Sequence, residues 1–543
     1  MESRRARSRR RPPRRAGAPR REDGEGELLY NGIRLPSDWP PRPADVPREP
    51  VLPGYLASPP SVIPIDVGRQ LFVDDFLIEN STLERAFHLA EYHPDGPVLK
   101  PDRDWERGGK GPPCAMVFSD GVWHDPQDRR FKMWYMGGPT RATCHATSED
   151  GLHWEKPTLD VTKGTNIVQT GKRDSSTVWL DQEETDPKKR FKIFRSGSGG
   201  STVKGAYGLY TFFSEDGIHW NDPPMLTGSC GDRSTVFWNP FRKVWVYSLR
   251  HGWGVPRRRR YWERADLLAS PMWKAGSEPP MWIGADALDP MRDDLKIVPE
   301  LYNLDCVAYE SLILGLFTIW RGQPETREKP NEVCVGFSRD GWSWSRPDRR
   351  AFCPVSETPG DWNYSNVQSA GGGCLIVGDR LHFYVSGRGG TGKRRGDGQN
   401  VTSLATLRRD GFASVGAGTS GGTLTTRPVR FRGAHLFVNA EAGGGELRAE
   451  ILDERGQPIA PFLLANAVPV QGNGTQQAVT WRGADDLSAV AGKPVRFRFH
   501  LKGGKMYAFW VSPDQTGASH GYVAAGGPGF TGPIDTIGHA PRG

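Results

Sequence analysis

The sequence predicts an all-β chain: a five-bladed β-propeller followed by a C-terminal β-sandwich. Three observations lead there. SEDGLHWEKP at 148–157 returns as SEDGIHWNDP at 214–223 and as SRDGWSWSRP at 338–347. Between and beyond these copies, apolar and aromatic strand-like runs recur at a regular spacing. Glycine (67 residues) and proline (45 residues) are abundant, which favours turns and short strands over helices.

The repeat sets the blade count. The units open with CAMVFSDGVWHDPQDRRFKMWYMGG, DSSTVWLDQEETDPKKRFKIFRSGSGG, DRSTVFWNPFRKVWVYSLRHG, LDCVAYESLILGLFTIWRG and GGCLIVGDRLHFYVSGRGG. Their closing signals fall at Ser148, Ser214, a degenerate SPMW at Ser270, Ser338 and a degenerate RRDG at Arg408, with gaps of 66, 56, 68 and 70 residues. Five such units, stacked radially as sheets, close into a propeller with few exposed edges. Asp-Gly supplies the tight turn between outer strands, and the tryptophan is expected to pack between neighbouring sheets. The motif is therefore a blade fastener rather than a catalytic element.

The boundaries follow from composition. Residues 1–60 are rich in arginine and proline and read as a disordered or draped tail. Residues 61–415 read as the propeller and 416–512 as the sandwich. In the latter, KPVRFRFHL puts Val495, Phe497, Phe499 and Leu501 on one face, and MYAFWV reads as a buried strand. Residues 513–543 are Gly-rich and expected to be irregular. RRRR at 257–260 reads as a solvated loop in an irregular third blade.

Net charge is +8, but the first 21 residues hold ten arginines and one glutamate, so the remainder is close to neutral. A nucleic-acid partner is therefore not expected for the folded body. The Arg-Arg pairs are not followed by the apolar stretch of an export signal, and no run of about 18 apolar residues suggests a membrane span. The seven cysteines are odd in number and show no C-x-x-C spacing, which fits free thiols and a cytoplasmic setting. No metal-ligand spacing, phosphate loop or nucleophile elbow is present, so no metal or cofactor is expected. Oligomeric state is left open.

Candidate chemistry comes from the innermost strands. Aligned on Val122, Val178, Val236 and Val307, they place Asp120, Asp174, Asp232 and Asp305 at matching positions two or four residues upstream. Positions two apart share a strand face, so these carboxylates are expected to converge on the channel. Aspartate is disfavoured in strands; taken singly, each could cap a turn, but four in register point to function. Clustered carboxylates shift one another's pKa, so one can act as acid and another as base or nucleophile. Glycosidic cleavage needs such a pair, about 5–5.5 Å apart for retention and 6.5–9.5 Å for inversion.

A second set leaves the second strands: Arg195, Arg250, Arg321 and Arg388. Their guanidinium forks could hold hydroxyls, a carboxylate or a phosphate, or could pair with the channel aspartates. His251, Trp320 and Trp362 stand beside these ends as candidate sugar contacts. Glu106, expected to reach the mouth, and Glu310, following the fourth inner strand, are further candidate acids.

The stretch HPDGPVLKPDRDWE, the text DGVWHDPQDRRFKMWYMGG with SEDGLHWEKP, the paired DSSTV and DRSTV, and GTLTTRPVRFRGAHLFVNAEA together resemble the five-bladed propeller glycoside hydrolases related to families 32 and 43, in their uncharacterised bacterial branch. The resemblance spans roughly residues 63–512. It implies a saccharide substrate, with Asp120 as nucleophile or base, Asp174 as pKa tuner and Asp232 as general acid. The sequence lacks WMNDPNG and the Arg-Asp-Pro and Glu-Cys signatures of family 32, and it carries an aspartate where the blade-three glutamate is expected. A non-catalytic carbohydrate-binding propeller is the alternative. A phosphate-using or sialidase-like activity drawing on the arginines is a third reading.

Overall fold

The computed structural model describes residues 26–138, 142–171, 173–198, 207–221, 225–251, 256–268, 273–274 and 276–538. The arginine-rich stretch 1–21 and the degenerate signal at Ser270 lie outside them.

Five antiparallel sheets form the propeller. Blade one is Ala115–Asp125, Arg130–Gly137, Ala142–Ser148 and Ile167–Gln169. Blade two is Ser176–Leu180, Phe191–Ser198, Tyr207–Ser214 and Met225–Leu226. Blade three is Thr235–Asn239, Val244–His251, Arg258–Arg264 and Met281–Ile283. Blade four is Glu300–Glu310, Leu312–Trp320 and Glu332–Ser338. Blade five sets Asn366–Ser369 and Leu375–Val377 against Arg380–Arg388, followed by Asn400–Arg408. Its outermost strand is Glu91–Tyr92, from before blade one. The ring thus closes by pairing an early segment with the last blade, which removes a free edge.

The repeated motif has one geometry in all three copies. Ser148 Oγ accepts from the Gly151 amide at 2.9 Å, and Asp150 Oδ1 accepts from the amides of Leu152 and His153 at 2.8 Å. Ser214 with Asp216, and Ser338 with Asp340, repeat these bonds. The glycine is required because φ is +77°, +79° and +81° at Gly151, Gly217 and Gly341. The turns are inter-blade staples. Tyr384 Oη of blade five donates to the Gly151 carbonyl, and Trp134 Nε1 of blade one donates to the Gly217 carbonyl.

The C-terminal module is one nine-stranded sheet folded back on itself. Its hinge is the long strand His435–Leu452. The first part of that strand pairs with Gly504–Ser512, the last part with Arg496–Lys502, and Gly443–Gly445 lie between. Folding brings Phe497 and Phe499 to 5.8 and 5.3 Å from Phe509, ring to ring. Val495, Phe497, Phe499 and Leu501 are buried, as the alternation predicts.

The chain does not divide where composition suggests. Ile78–Ser81 and Glu84–Phe87, read as propeller, pair with Gly422–Thr426 and Ala413–Ala417 in the C-terminal sheet. Leu29, Ile33, Leu35 and Tyr55 are buried in that module's core, so residues 26–60 are pinned down rather than disordered. In the Gly-rich tail, Tyr522–Val523 adds a strand to the inner edge of blade four, at Tyr309 and Glu310. RRRR is not a loop: Arg258–Arg264 is the third strand of blade three.

Candidate active site at the propeller axis

The leading ends of the inner strands meet at the axis in two tiers, not in one ring. The lower tier is buried. Asp120 receives both Arg173 Nη atoms at 2.9 Å, and Arg173 also reaches Ser176 Oγ at 2.8 Å. Asp305 Oδ2 accepts from Ser119 Oγ (3.1 Å), Asn303 Nδ2 (2.8 Å) and Ser369 Oγ (2.5 Å). Arg233 Nη2 donates to Ser119 Oγ at 3.0 Å. Blades one to five thus all contribute to this hub. Burial pushes the carboxyls of Asp120 and Asp305 up to about 6, although Arg173 pulls the first down and Ser369 and Arg233 the second.

A bulge in blade one explains why the register argument works only in part. Ladder pairing shifts between Met116 and Gly121, and Phe118, Ser119 and Gly121 have φ of 25°, 63° and 140°. Non-glycine residues rarely hold positive φ; such strain persists only where the surroundings enforce it, and it concentrates at functional sites. The bulge breaks the alternation. Ser119, rather than Phe118, turns its side chain into the hub, and Phe118 lies beneath the Arg233 guanidinium at 3.9 Å.

The upper tier is partly open. The Asp232 side chain is 25% exposed and takes a 2.6 Å bond from Arg250. Asp174 is half-buried, on the neighbouring blade. The two segments touch: Ser175 Oγ donates to the Asp232 carbonyl at 2.9 Å. The four aspartates therefore split into a sealed pair, Asp120 and Asp305, and an accessible pair, Asp174 and Asp232.

The remaining candidates divide between site and scaffold. Arg388 reaches the hub: it lies 5.3 Å from the Phe118 ring and 3.9 Å from Glu328. Trp320 is half-buried at the mouth with Arg257 over its ring at 4.7 Å. Arg195 spans blades one and two, donating to the Thr170 carbonyl at 3.2 Å and lying 5.1 Å from the Phe212 ring. His251 accepts from Arg260 Nε at 3.1 Å. Burial, with Arg260 and Arg258 nearby, lowers its pKa.

Four candidates are scaffold. Arg321 is buried against Glu332 at 2.6 Å, because its strand end is covered by the segment carrying Pro290. Trp362 packs edge-on against Tyr92 at the ring closure. Glu106 is fully buried; it accepts from Lys156 and Tyr135 at 2.7 Å and from the amides of Asp102 and Arg103. Glu310, at the trailing end of its strand, is opposite the mouth. It joins Arg69, Arg409, Asp410 and Asp535 in a buried cluster between propeller and C-terminal module.

Sequence reasoning missed Arg173, Arg233, Arg257, Arg259, Tyr302 and Lys329. A faint signal existed for two of them: Arg173 precedes Asp174 and Arg233 follows Asp232, in the paired RDSST and DRST. Arg259 gave none, since an arginine in a run of four reads as surface. In the fold it is fully buried and donates to the carbonyls of Arg233 (2.6 Å) and Tyr302 (2.8 Å).

No family model matches the chain, and no curated protein matches it. Solved structures do align with it. An N-acetylgalactosamine deacetylase from F. plautii, in complex with blood group B trisaccharide, is 13% identical with a TM-score of 0.40, covering 60% of this chain and 96% of that one. A thermostable family-43 glycoside hydrolase is 12% identical with a TM-score of 0.37, covering 57% and 96%. The β-fructofuranosidase of Schwanniomyces occidentalis with fructosyl-erythritol is 11% identical with a TM-score of 0.36, covering 77% and 99%. Agreement this low carries no argument about activity. The five-bladed fold rests on the sheets themselves.

Proposed function

We propose that the chain is a glycoside hydrolase whose substrate sits over the axis, with Asp174 and Asp232 as the carboxylates that meet it. One observation carries this reading. These two acids, from adjacent blades, are the accessible members of the aspartate set, above a hub closed by Phe118 and its arginines. Glycosidic cleavage requires one carboxyl to protonate the leaving oxygen and another to activate water or attack the anomeric carbon. Asp120 cannot touch substrate, because it is fully buried behind Arg173. Its part is positioning: it holds Arg173 and, through it, the turn that presents Asp174. This moves the nucleophile role, which the resemblance gives to Asp120, up one tier.

The test is a screen of aryl glycosides and fructans, followed by Asp174→Asn and Asp232→Asn. Turnover lost in both variants with folding intact supports the proposal; turnover retained in either refutes that residue's role.

A second reading has its own observation. Asp120 and Asp305 are sealed by Arg173 and by Ser119, Asn303 and Ser369, as ring-holding groups would be. A carbohydrate-binding propeller without turnover would look the same at that tier, and it predicts saccharide binding with no product in the same screen.

A further inference from the structure

The charges at the axis do not balance. Four arginines there each face a carboxylate: Arg173 has Asp120, Arg250 has Asp232, Arg257 has Glu300 at 2.6 Å, and Arg388 has Glu328. Two do not. Arg233 is buried, donates from Nη2 only to a serine hydroxyl, and its Nε and Nη1 have no partner. Arg259 is buried, with three bonds to neutral acceptors and an unpartnered Nε. Against these two stand Asp174 in the open tier and Asp305, the latter wrapped by neutral donors with one oxygen unpartnered. A buried guanidinium without an anion is expensive.

The surplus cation stands at the rim. Lys329 is half-buried with its Nζ 5.1 Å from the Tyr302 ring, and no ion pair is made by it among the described residues. Arg257 and Arg233 approach that ring at 5.5 and 5.7 Å. Arg233 and Arg388 both lie over the Phe118 ring. Cations from blades three, four and five therefore converge on two adjoining aromatic rings beside the accessible carboxylates.

We infer that the mouth takes an oxyanion, with Lys329 as its direct ligand and the buried Arg233 as the positive charge behind it, and that the saccharide bears this group as a uronate carboxylate or a sulfate or phosphate ester. Lysine meets a carboxylate, sulfate or phosphate as a point charge, and the arginine behind it adds to the positive field. A neutral sugar would leave Lys329 uncompensated. This inference rests on the proposed site but not on its chemistry, since a binding propeller would use the same group. Free inorganic phosphate could supply the same oxygens.

The test is isothermal titration of the wild-type full chain with trigalacturonate, a chondroitin sulfate disaccharide, mannose 6-phosphate, their uncharged counterparts and sodium phosphate. The expected result is that at least one charged saccharide binds tenfold or more tighter than its neutral counterpart, with a tenfold loss in Lys329→Ala and in Arg233→Gln. Lys329 is at the rim, so its variant keeps the test decisive should Arg233→Gln fail to fold. Phosphate binding that depends on Lys329, with no preference among the saccharides, keeps the oxyanion site and makes the anion a separate ligand. Equal binding of charged and neutral sugars without phosphate binding, or affinities unchanged by Lys329→Ala, overturns the inference. Turnover of neutral aryl glycosides without any anion preference would sink this inference while leaving the hydrolase reading intact. Anion binding without turnover does the reverse.

Discussion

Trp134 Nε1 donates to the carbonyl of Gly217 at 2.7 Å, across the boundary between blades one and two. A Cβ on Gly217 would lie 2.5 Å from the Trp134 ring, and the residue has φ +79°. Gly164 has nearly the same φ, +80°, but faces open space. Gly164→Ala is therefore expected to cost about 1 kcal/mol, from backbone strain alone. Gly217→Ala should cost about 1–3 kcal/mol more, from overpacking against the neighbouring blade. Urea denaturation of the two variants measures the difference, and equal losses would show that the turn does not staple the blades.

The cluster around Glu310 joins the two modules. Arg69 reaches Glu310 at 3.5 Å and Asp410 at 2.9 Å, and Arg409 reaches Glu310 and Asp535 at 3.2 Å, all buried. The set holds two arginines against three carboxylates, so removing Arg409 leaves three acids with one cation, and Arg409→Met is expected to lose about 3–5 kcal/mol. Calorimetry should then resolve two transitions as propeller and C-terminal sheet uncouple. A single unshifted transition would deny the cluster that role.

Two buried acids tilt stability in opposite directions. At Asp125, burial is outweighed by Arg190 (2.5 Å) and Lys132 (2.7 Å), which hold its carboxyl at about 2. A depressed folded-state pKa stabilises above the unfolded value near 4, and that stability is lost as pH falls through about 2. Asp120 is raised to about 6, so its contribution is full below pH 4 and is lost as pH rises through about 6. Each window is worth on the order of 2 kcal/mol. Asp125→Asn should flatten the acid limb below pH 4, and Asp120→Asn should remove about half of the decline between pH 4 and 6, Asp305 supplying the rest, in stability curves taken from pH 2 to 8. Either limb persisting unchanged would contradict the assignment.

Arg259 ties blade three to the hub through neutral acceptors. Burial, with Arg233 and Arg250 close by, lowers its pKa to about 9. Arg259→Met is expected to relieve like-charge repulsion while vacating the carbonyls of Arg233 and Tyr302, for a net loss of about 1–3 kcal/mol. Thermal unfolding checks it, and a gain in stability would mean that repulsion outweighs those bonds.

The blades were legible because their fasteners are local: a serine, an aspartate and a glycine in four residues specify a turn, and no distant contact is needed to recognise it. Val495 to Leu501 were legible for the same reason, through alternation within one strand. The candidate site was legible only in part. Asp174 and Asp232 emerged from register, but the bulge at Phe118 and Ser119 is a tertiary strain that no propensity announces. Arg259 was hidden because its burial depends on carbonyls supplied by two other strands. Glu310, read as a candidate acid, has no such place because it stands at the trailing end of an eleven-residue strand whose leading end faces the mouth. The module boundaries were blurred because strands near residues 78–87 and 522–523 cross between modules, which composition does not record.

The central claim is that the accessible upper-tier carboxylates perform the chemistry over a sealed lower tier. Turnover of the best substrate from the aryl glycoside and fructan screen, compared between wild type and Asp232→Asn at matched thermal stability, tests it most directly. The account predicts a fall of at least about a thousandfold, equivalent to about 4 kcal/mol of transition-state stabilisation. Undiminished turnover in the folded variant would contradict it.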